Sequence, residues 1–156
     1  MSELAFRNRQ RVRRVNLHTL RQISQSLLED LVGAGEFELC VHLVGVKEMA
    51  RINQQFLQHE GSTDVITFDY AERAGRLHGE IFISLGDAVA QAREFRTTWQ
   101  SELVRYVIHG VLHLLGHDDL KSVARRKMKR EENRLLREVS ARFPLSKLGR
   151  APKLRP

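Results

Sequence analysis

The chain has 156 residues, 42% of them hydrophobic, and a formal net charge of +7, which predicts one folded domain and argues against disorder throughout. The positive charge favours an anionic partner, either nucleic acid or an acidic membrane surface. The single cysteine, Cys40, excludes an internal disulfide and a cysteine-based zinc cluster.

Hydrophobic spacing predicts an α+β fold, with a small mixed β-sheet of about four strands packed with about five helices. In chain order the predicted elements are a short basic strand at 9–15, a helix at 17–31, a strand at 37–44, a helix at 46–57, strands at 65–68 and 79–84, and helices at 86–96, 101–115 and 120–143.

We expect residues 1–144 to form a single catalytic domain that binds a metal, and residues 145–156 to form a basic, disordered tail. Cys40 lies in the apolar strand at 37–44 and is predicted to be a buried core thiol. Residues 1–14 show no signal-peptide pattern, and no apolar run reaches the roughly 18 residues of a membrane span. We therefore expect a cytoplasmic protein that does not contact a membrane.

The helix at 101–115 carries the most distinctive motif, a cluster of histidines and aspartates that ends at Asp119. His109 and His113 are four residues apart, so on a helix they project from one face as two ligands for one metal ion. A straight helix would place His117 roughly 12 Å along the axis from His109, too far to share a zinc ion. Gly116 is therefore predicted to end the helix, so that a third ligand can turn back.

The candidates for the third ligand are His117, Asp118 and Asp119, because imidazole and carboxylate both bind zinc. The ligand spacing matches the metzincin protease pattern, whose third ligand falls at Asp119, and His117 is the competing ligand. Those proteases carry a general-base glutamate where this chain has Gly110. The motif thus predicts a zincin-like metal helix with a different chemistry.

Three segments, HGVLHLLGHD at 109–118, TDVITF at 63–68 and GEIFIS at 79–84, resemble motifs of the YbeY family of bacterial endoribonucleases. The late charged helix is also similar, and the resemblance spans roughly residues 8–140. It implies an α+β fold, one zinc ion and no small-molecule cofactor. It also implies metal-dependent, single-strand-specific cleavage of ribosomal RNA, in 16S rRNA 3′-end maturation and ribosome quality control, with ribosomal RNA and the small ribosomal subunit as partners.

Two positions depart from the family pattern. Asp119 replaces the family's third histidine, which gives His109, His113 and Asp119 as the expected metal ligands. Leu57 stands where the family usually has an arginine, whose expected role is to hold an RNA phosphate. His59, two residues further on, is a partial substitute for that arginine. Asp118 is the candidate catalytic residue, as a group that orients a ligand histidine, although it equally fits a turn aspartate.

Basic residues cluster at 7–14 and 121–130, and the second cluster is either a solvated helix face or a surface that follows RNA phosphates. Only Trp99 and Tyr70 are predicted as exposed stacking residues, so we expect recognition by charge and shape rather than by base. Two other functions remain open. A non-catalytic, zinc-containing RNA-binding ribosome-assembly factor is suggested by Leu57 and Asp119. A metalloprotease is suggested by the ligand spacing and opposed by Gly110.

Overall fold

The computed structural model describes residues 1–59, 61, 63–73 and 75–149. They form an α+β fold around one four-stranded mixed sheet with the strand order β1-β2-β4-β3. The first three strands in this order run parallel, and β3 pairs antiparallel with β4 at one edge. The strands are β1 (Glu3–Asn8), β2 (Phe37–Val44), β3 (Val65–Asp69) and β4 (Leu77–Ser84).

In the part of the chain that the structure describes, five α-helices accompany the sheet, so the predicted α+β architecture is confirmed. The first helix continues as a π-helical segment at Leu27–Leu31. No helix in the described part of the chain is long and apolar enough to cross a membrane. The α-helices are α1 (Leu17–Ser26), α2 (Val46–Leu57), α3 (Leu85–Phe95), α4 (Trp99–Leu114) and α5 (Ser122–Arg142).

The first strand lies earlier than predicted: β1 ends at Asn8, and the expectation of a strand at 9–15 is wrong. The side chain of Gln10, only 8% exposed, organises this segment instead. Its Oε1 accepts hydrogen bonds from the backbone N–H groups of Val12 and Arg13, at 2.8 and 3.0 Å, and its Nε2 donates to the carbonyl of Arg13 at 2.7 Å. A side-chain amide thus satisfies backbone groups that a strand would pair with its neighbour.

The helix that carries the histidines, α4, is the central helix and packs against β3, β4, α3 and α5. Most of its side chains are buried, as its apolar composition predicts. Two glycines allow it to approach the sheet closely. A Cβ on Gly110 would lie 2.7 Å from Ile81 Cδ1, and a Cβ on Gly79 would lie 2.9 Å from a methyl carbon of Leu114. The backbone of α4 therefore packs directly against β4.

The two faces of the sheet differ. The main core lies on the face that packs against α1 and α4. On the other face, α2 covers a smaller core that includes Met49, Ile52 and Ile66. Cys40 belongs to this second face by strand alternation and is only half-buried, so the prediction of a buried core thiol is wrong. Burial still raises the pKa of its thiol.

The chain after α5 remains attached to the domain for a further turn. Leu145–Leu148 forms a 3-10 helix, and its last side chain is fully buried. The carbonyl of Leu148 accepts a hydrogen bond of 2.8 Å from the backbone N–H of Asn16. These residues, which the sequence places in the tail, thus pack on the domain. The rest of the predicted tail, residues 150–156, lies outside the described residues.

Candidate metal centre

Two histidines on α4 begin the site. The helix starts after Thr98, whose hydroxyl oxygen accepts a hydrogen bond from the backbone N–H of Ser101. One turn apart on the same face, His109 and His113 have ring centroids separated by 4.7 Å. Their side chains are 29% and 27% exposed, so a solvent ion can reach both.

Gly116 ends α4 in a Schellman motif, as predicted from its position. Its N–H donates to the carbonyl of His113 at 3.0 Å, and the N–H of His117 donates to the carbonyl of Leu112 at 2.9 Å. The φ of Gly116 is +99°, in the region that favours glycine because no Cβ clashes there. The chain turns at this residue, and the segment after it returns to the histidines.

Asp119 is the residue that this turn brings back. Its Oδ2 lies 3.4 Å from His113 Nε2 and 3.8 Å from His109 Nε2. One potential ligand atom from each of the three residues lies within 4.8 Å of the others. Tetrahedral zinc with bonds of about 2.0–2.1 Å separates its ligand atoms by about 3.4 Å, so this donor set fits zinc after small side-chain adjustments. Among the described residues, His117 does not belong to this group.

Glu132 on α5 supports the histidines, and the metal motif does not single it out. Its Oε2 accepts a hydrogen bond of 2.9 Å from His109 Nδ1, and its Oε1 accepts one of 2.9 Å from Arg105. The side chain is only 6% exposed. A proton held on Nδ1 leaves the Nε2 lone pair of His109 free for a metal, which is how carboxylates commonly orient metal-binding histidines.

The pKa values of this pair show that the site stabilises positive charge. Burial opposes ionisation of Glu132, but hydrogen bonds from His109 and Arg105 outweigh it and lower its pKa to about 2. Burial also disfavours the charged imidazole of His109, yet the hydrogen bond and charge of Glu132 raise its pKa above the usual value. A cation at His109, whether a proton or a metal, is therefore electrostatically favoured.

Glu131 precedes Glu132 in the sequence and carries the same side chain, but it does not face the histidines. Consecutive residues of a helix point about 100° apart. Glu131 forms an exposed ion pair with Arg134, at 2.9 Å, whereas Glu132 faces α4. The signal that distinguishes Glu132 in the sequence is its place in the helical stripe that α5 buries, which consists of Met128, Glu132, Leu135 and Val139.

Asp118 makes a contact that differs from the predicted one. Its Oδ1 accepts a hydrogen bond of 2.8 Å from the backbone N–H of Leu120, an arrangement typical of aspartate in turns. The contact that orients His109 is made by Glu132. A catalytic role for Asp118 therefore stays a prediction.

A cavity of about 430 Å³ opens beside these residues, between α3, α4 and α5. His109, Asp119 and Glu132 are among the residues that line it. Arg125 and Lys129 also line it, so part of the predicted basic cluster at 121–130 stands next to the potential ligands.

The predicted stacking residues do not line this cavity. Trp99 is only 6% exposed, and the prediction that it is available to stack on a base is wrong. Tyr70 is 47% exposed, but its hydroxyl donates to Glu80 on the sheet. Leu57 lies at the end of α2, half-exposed and without charge.

A second group of potential ligands lies on the face of the sheet that α2 covers, and it consists of Cys40, His42 and Glu80. Both ring nitrogens of His42 are already engaged there. Arg9 donates to Nδ1 at 3.2 Å, so Nε2 carries the proton and donates to Glu80 at 2.7 Å. The guanidinium would also repel a cation. This group is a closed hydrogen-bond network and fits a metal less well than the group at the end of α4.

Comparisons with known proteins agree with the motifs. The family model described as Endoribonuclease YbeY matches residues 5–140. Endoribonuclease YbeY of Chlorobium phaeovibrioides is 41% identical over 97 residues, which cover 62% of this chain and 65% of that protein. The Bacteroides fragilis protein of the same name is 42% identical over 90 residues, which cover 58% and 64%. The chain thus spans slightly less than two thirds of the length of these two relatives.

Two further proteins are similar over more of their length. Endoribonuclease YbeY of Salinibacter ruber is 33% identical over 135 residues, which cover 81% of this chain and 85% of that protein. The solution structure of TM1509 from Thermotoga maritima is 27% identical, with a TM-score of 0.70 over 98% of this chain and all of that one. The shared fold therefore includes nearly every element described above.

Proposed function

The chain belongs to the YbeY endoribonuclease family, and from this premise we propose that it is a metal-dependent nuclease that hydrolyses phosphodiester bonds in single-stranded RNA. The observation that carries the proposal is the group formed by His109, His113 and Asp119, two of which, His109 and Asp119, line an open cavity. Two imidazoles and one carboxylate are a protein ligand set used by catalytic zinc, which leaves a fourth position for water or substrate.

We assign one zinc ion to His109, His113 and Asp119. Bound zinc supplies Lewis-acid polarisation of a phosphoryl oxygen and lowers the pKa of a water molecule. Glu132 keeps the proton of His109 on Nδ1, so that Nε2 remains available as a ligand. Asp118 accepts from the backbone N–H of the residue after Asp119, and we assign it the role of fixing the turn that presents this ligand.

The basic residues at the cavity bind the anionic substrate. Arg125 is exposed and lines the cavity, where its guanidinium can hold an RNA phosphate. Lys129 lies one turn further along α5, and its ammonium group is 3.5 Å from Glu132. Both cations line the same cavity as His109 and Asp119, so an RNA strand bound to them passes beside the ligands.

Ribosomal RNA is the proposed substrate, at the 3′ end of 16S rRNA, and the small ribosomal subunit is the proposed partner. This rests on family membership and on the net charge of +7, which favours binding to a phosphate backbone. We accordingly propose the cytoplasm, where ribosomes mature, as the compartment.

The test is cleavage of a labelled single-stranded RNA by the purified, zinc-loaded protein, with the same RNA annealed to its complement for comparison. Single strands should be cut and duplexes spared. The His109→Ala variant should lose cleavage, while His18→Ala, at an exposed histidine on α1, should retain it. Equal cleavage by His109→Ala and wild type would overturn the proposal.

A second candidate is a non-catalytic RNA-binding factor in ribosome assembly that keeps zinc for structure. It is favoured by Leu57, which places an uncharged side chain where the family has an arginine. Removing zinc with a chelator should distinguish the two. Loss of thermal stability, in a protein that binds RNA but never cleaves it, would favour the second candidate.

We do not propose a peptidase. The position of the zincin general base is Gly110, and a Cβ there would meet Ile81 of the sheet at 2.7 Å. This position on α4 therefore faces β4 rather than the potential ligands, and a glutamate there would collide with the core.

A further inference from the structure

The cavity beside the candidate metal centre extends well beyond the three potential ligands. Its volume of about 430 Å³ is within the range of small-molecule sites, roughly 300–1,000 Å³. Besides the metal-site residues, Gln91 and Phe95 of α3 and Tyr106 of α4 line it. Nothing in the proposed hydrolysis uses these three side chains.

Two polar atoms of side chains that line the cavity lack hydrogen-bond partners among the described residues. Tyr106 is 4% exposed, and in the described part of the chain its hydroxyl has no hydrogen-bond partner. The Oε1 of Gln91 is likewise buried and unpaired there. Buried polar atoms are nearly always satisfied, and exceptions need an explanation. Because both atoms belong to side chains that line one cavity, a bound molecule that hydrogen-bonds to them is a direct explanation.

The rim of the same cavity carries an exposed aromatic ring. Phe95, the last residue of α3, is 63% exposed. Buried Met128 lines the cavity as well and gives it apolar surface. An exposed phenyl ring beside an anion-binding surface is suited to stack on a base, since every nucleobase has a flat π-face.

Hydrogen-bond acceptors line the cavity away from the basic residues. Asp64 and Glu102 line the cavity together with the unpaired Oε1 of Gln91. Burial, together with the charges of Asp64 and Glu102, raises the pKa of Tyr106, so its hydroxyl keeps its proton and can donate. An acceptor and a donor that line one cavity complement a base edge that presents an amino group beside an unprotonated ring nitrogen. Adenine and cytosine present that pair, whereas uracil presents a carbonyl next to a ring N–H.

We propose that the part of the cavity lined by Gln91, Phe95 and Tyr106 binds one nucleobase of the RNA strand adjacent to the cleaved phosphate, and prefers adenine and cytosine to uracil. Phe95 stacks on the base, Gln91 Oε1 accepts from its exocyclic amino group, and the Tyr106 hydroxyl donates to the neighbouring ring nitrogen. The inference deepens the proposed nuclease function, on which it rests for the identity of the ligand. It also replaces the expectation of recognition by charge and shape alone.

Binding of free nucleotides tests the subsite without any cleavage. The dissociation constants of AMP, CMP and UMP are measured by calorimetry on the zinc-loaded protein. AMP and CMP should bind about three- to tenfold more tightly than UMP, the difference expected for one or two neutral hydrogen bonds. Tyr106→Phe and Gln91→Leu should each reduce this preference to less than about twofold. Tyr106→Phe removes only the unpaired hydroxyl, so the variant should fold as stably as wild type.

Two further variants separate stacking from base selection. Phe95→Ala should weaken all three nucleotides by a similar factor of about five or more, because stacking does not depend on base identity. Tyr70→Phe is the matched control, since its hydroxyl binds Glu80 and Tyr70 does not line the cavity, and it should keep the wild-type preference. Equal affinities for the three nucleotides, or a preference that Tyr106→Phe leaves intact, would overturn the inference.

Cleavage of A8, C8 and U8 oligonucleotides distinguishes this inference from the proposed function. The ratio of kcat/KM for A8 over U8 should follow the nucleotide preference and fall in Tyr106→Phe. Nucleotide preference without cleavage of any oligonucleotide would support the subsite and overturn the nuclease. Cleavage with equal kcat/KM on all three, and equal nucleotide binding, would support the nuclease and overturn the subsite.

Discussion

Replacing Glu132 with glutamine tests how the structure prepares His109 for a metal. The carboxylate accepts the Nδ1 proton of His109 at 2.9 Å and is 6% exposed, so water does not substitute readily for it. Glutamine has the same shape and keeps one acceptor oxygen, but it removes the negative charge. The substitution therefore separates orientation of the imidazole from electrostatic support.

The expected magnitude follows from these contacts. Carboxylates that orient metal-bound histidines contribute about 10–100-fold to metal affinity. Because Glu132→Gln retains an acceptor, we expect zinc affinity to fall by about tenfold, or about 1.4 kcal/mol. Glu132→Ala removes both the acceptor and the charge and leaves Arg105 without that partner, so we expect a loss of about 100-fold.

Competition with a zinc-binding dye measures these affinities, and far-UV circular dichroism checks that each variant is folded. Glu131→Gln is the matched control, since Glu131 is adjacent in sequence, carries the same charge and pairs with Arg134 away from the site. Its zinc affinity should stay within about twofold of wild type, as exposed ion pairs contribute little. If Glu132→Gln behaves like Glu131→Gln, the carboxylate does not support the metal and the reasoning is refuted.

Four other substitutions test the ligand set and the packing of the domain. Asp119→Ala should lower zinc affinity by more than the roughly 100-fold typical of residues that only orient a ligand, while His117→Ala should change it little. A larger loss in His117→Ala than in Asp119→Ala, measured by dye competition, would identify His117 as the ligand. Gly110→Ala should destabilise the protein by about 1–3 kcal/mol despite the better helix propensity of alanine, because the new methyl group would collide with the buried Ile81. A raised Tm would contradict this prediction. Leu148→Ala should reduce the free energy of unfolding in urea by about 2–5 kcal/mol, since the leucine side chain is fully buried. An unchanged midpoint of urea unfolding would show that the 3-10 helix does not contribute to stability.

Most helices and strands can be predicted from the local pattern of hydrophobic residues, and each exception has an identifiable physical cause. The five helices and three of the four strands lie close to their predicted positions. The first strand does not, because the buried amide of Gln10 satisfies backbone groups in the segment at 9–15, which the sequence predicts as a short basic strand. Trp99 was expected at the surface, but it starts the helix that lies at the centre of the domain. Neither a side chain that replaces strand pairing nor the depth of a helix is visible in periodicity.

The sequence by itself determines the histidine pair, the turn at Gly116 and the candidate ligand Asp119, because helix periodicity, glycine at positive φ and ligand chemistry are properties of consecutive residues. Only the tertiary structure decides that Asp119 rather than His117 approaches the histidines, and that Glu132 rather than Asp118 contacts His109. It also brings α3 to α4, so that Gln91 and Tyr106 line one cavity. The contact of Glu132 with His109 and the meeting of Gln91 with Tyr106 join residues on different helices, so their geometry depends on how α3 and α5 pack around α4, which no local pattern encodes.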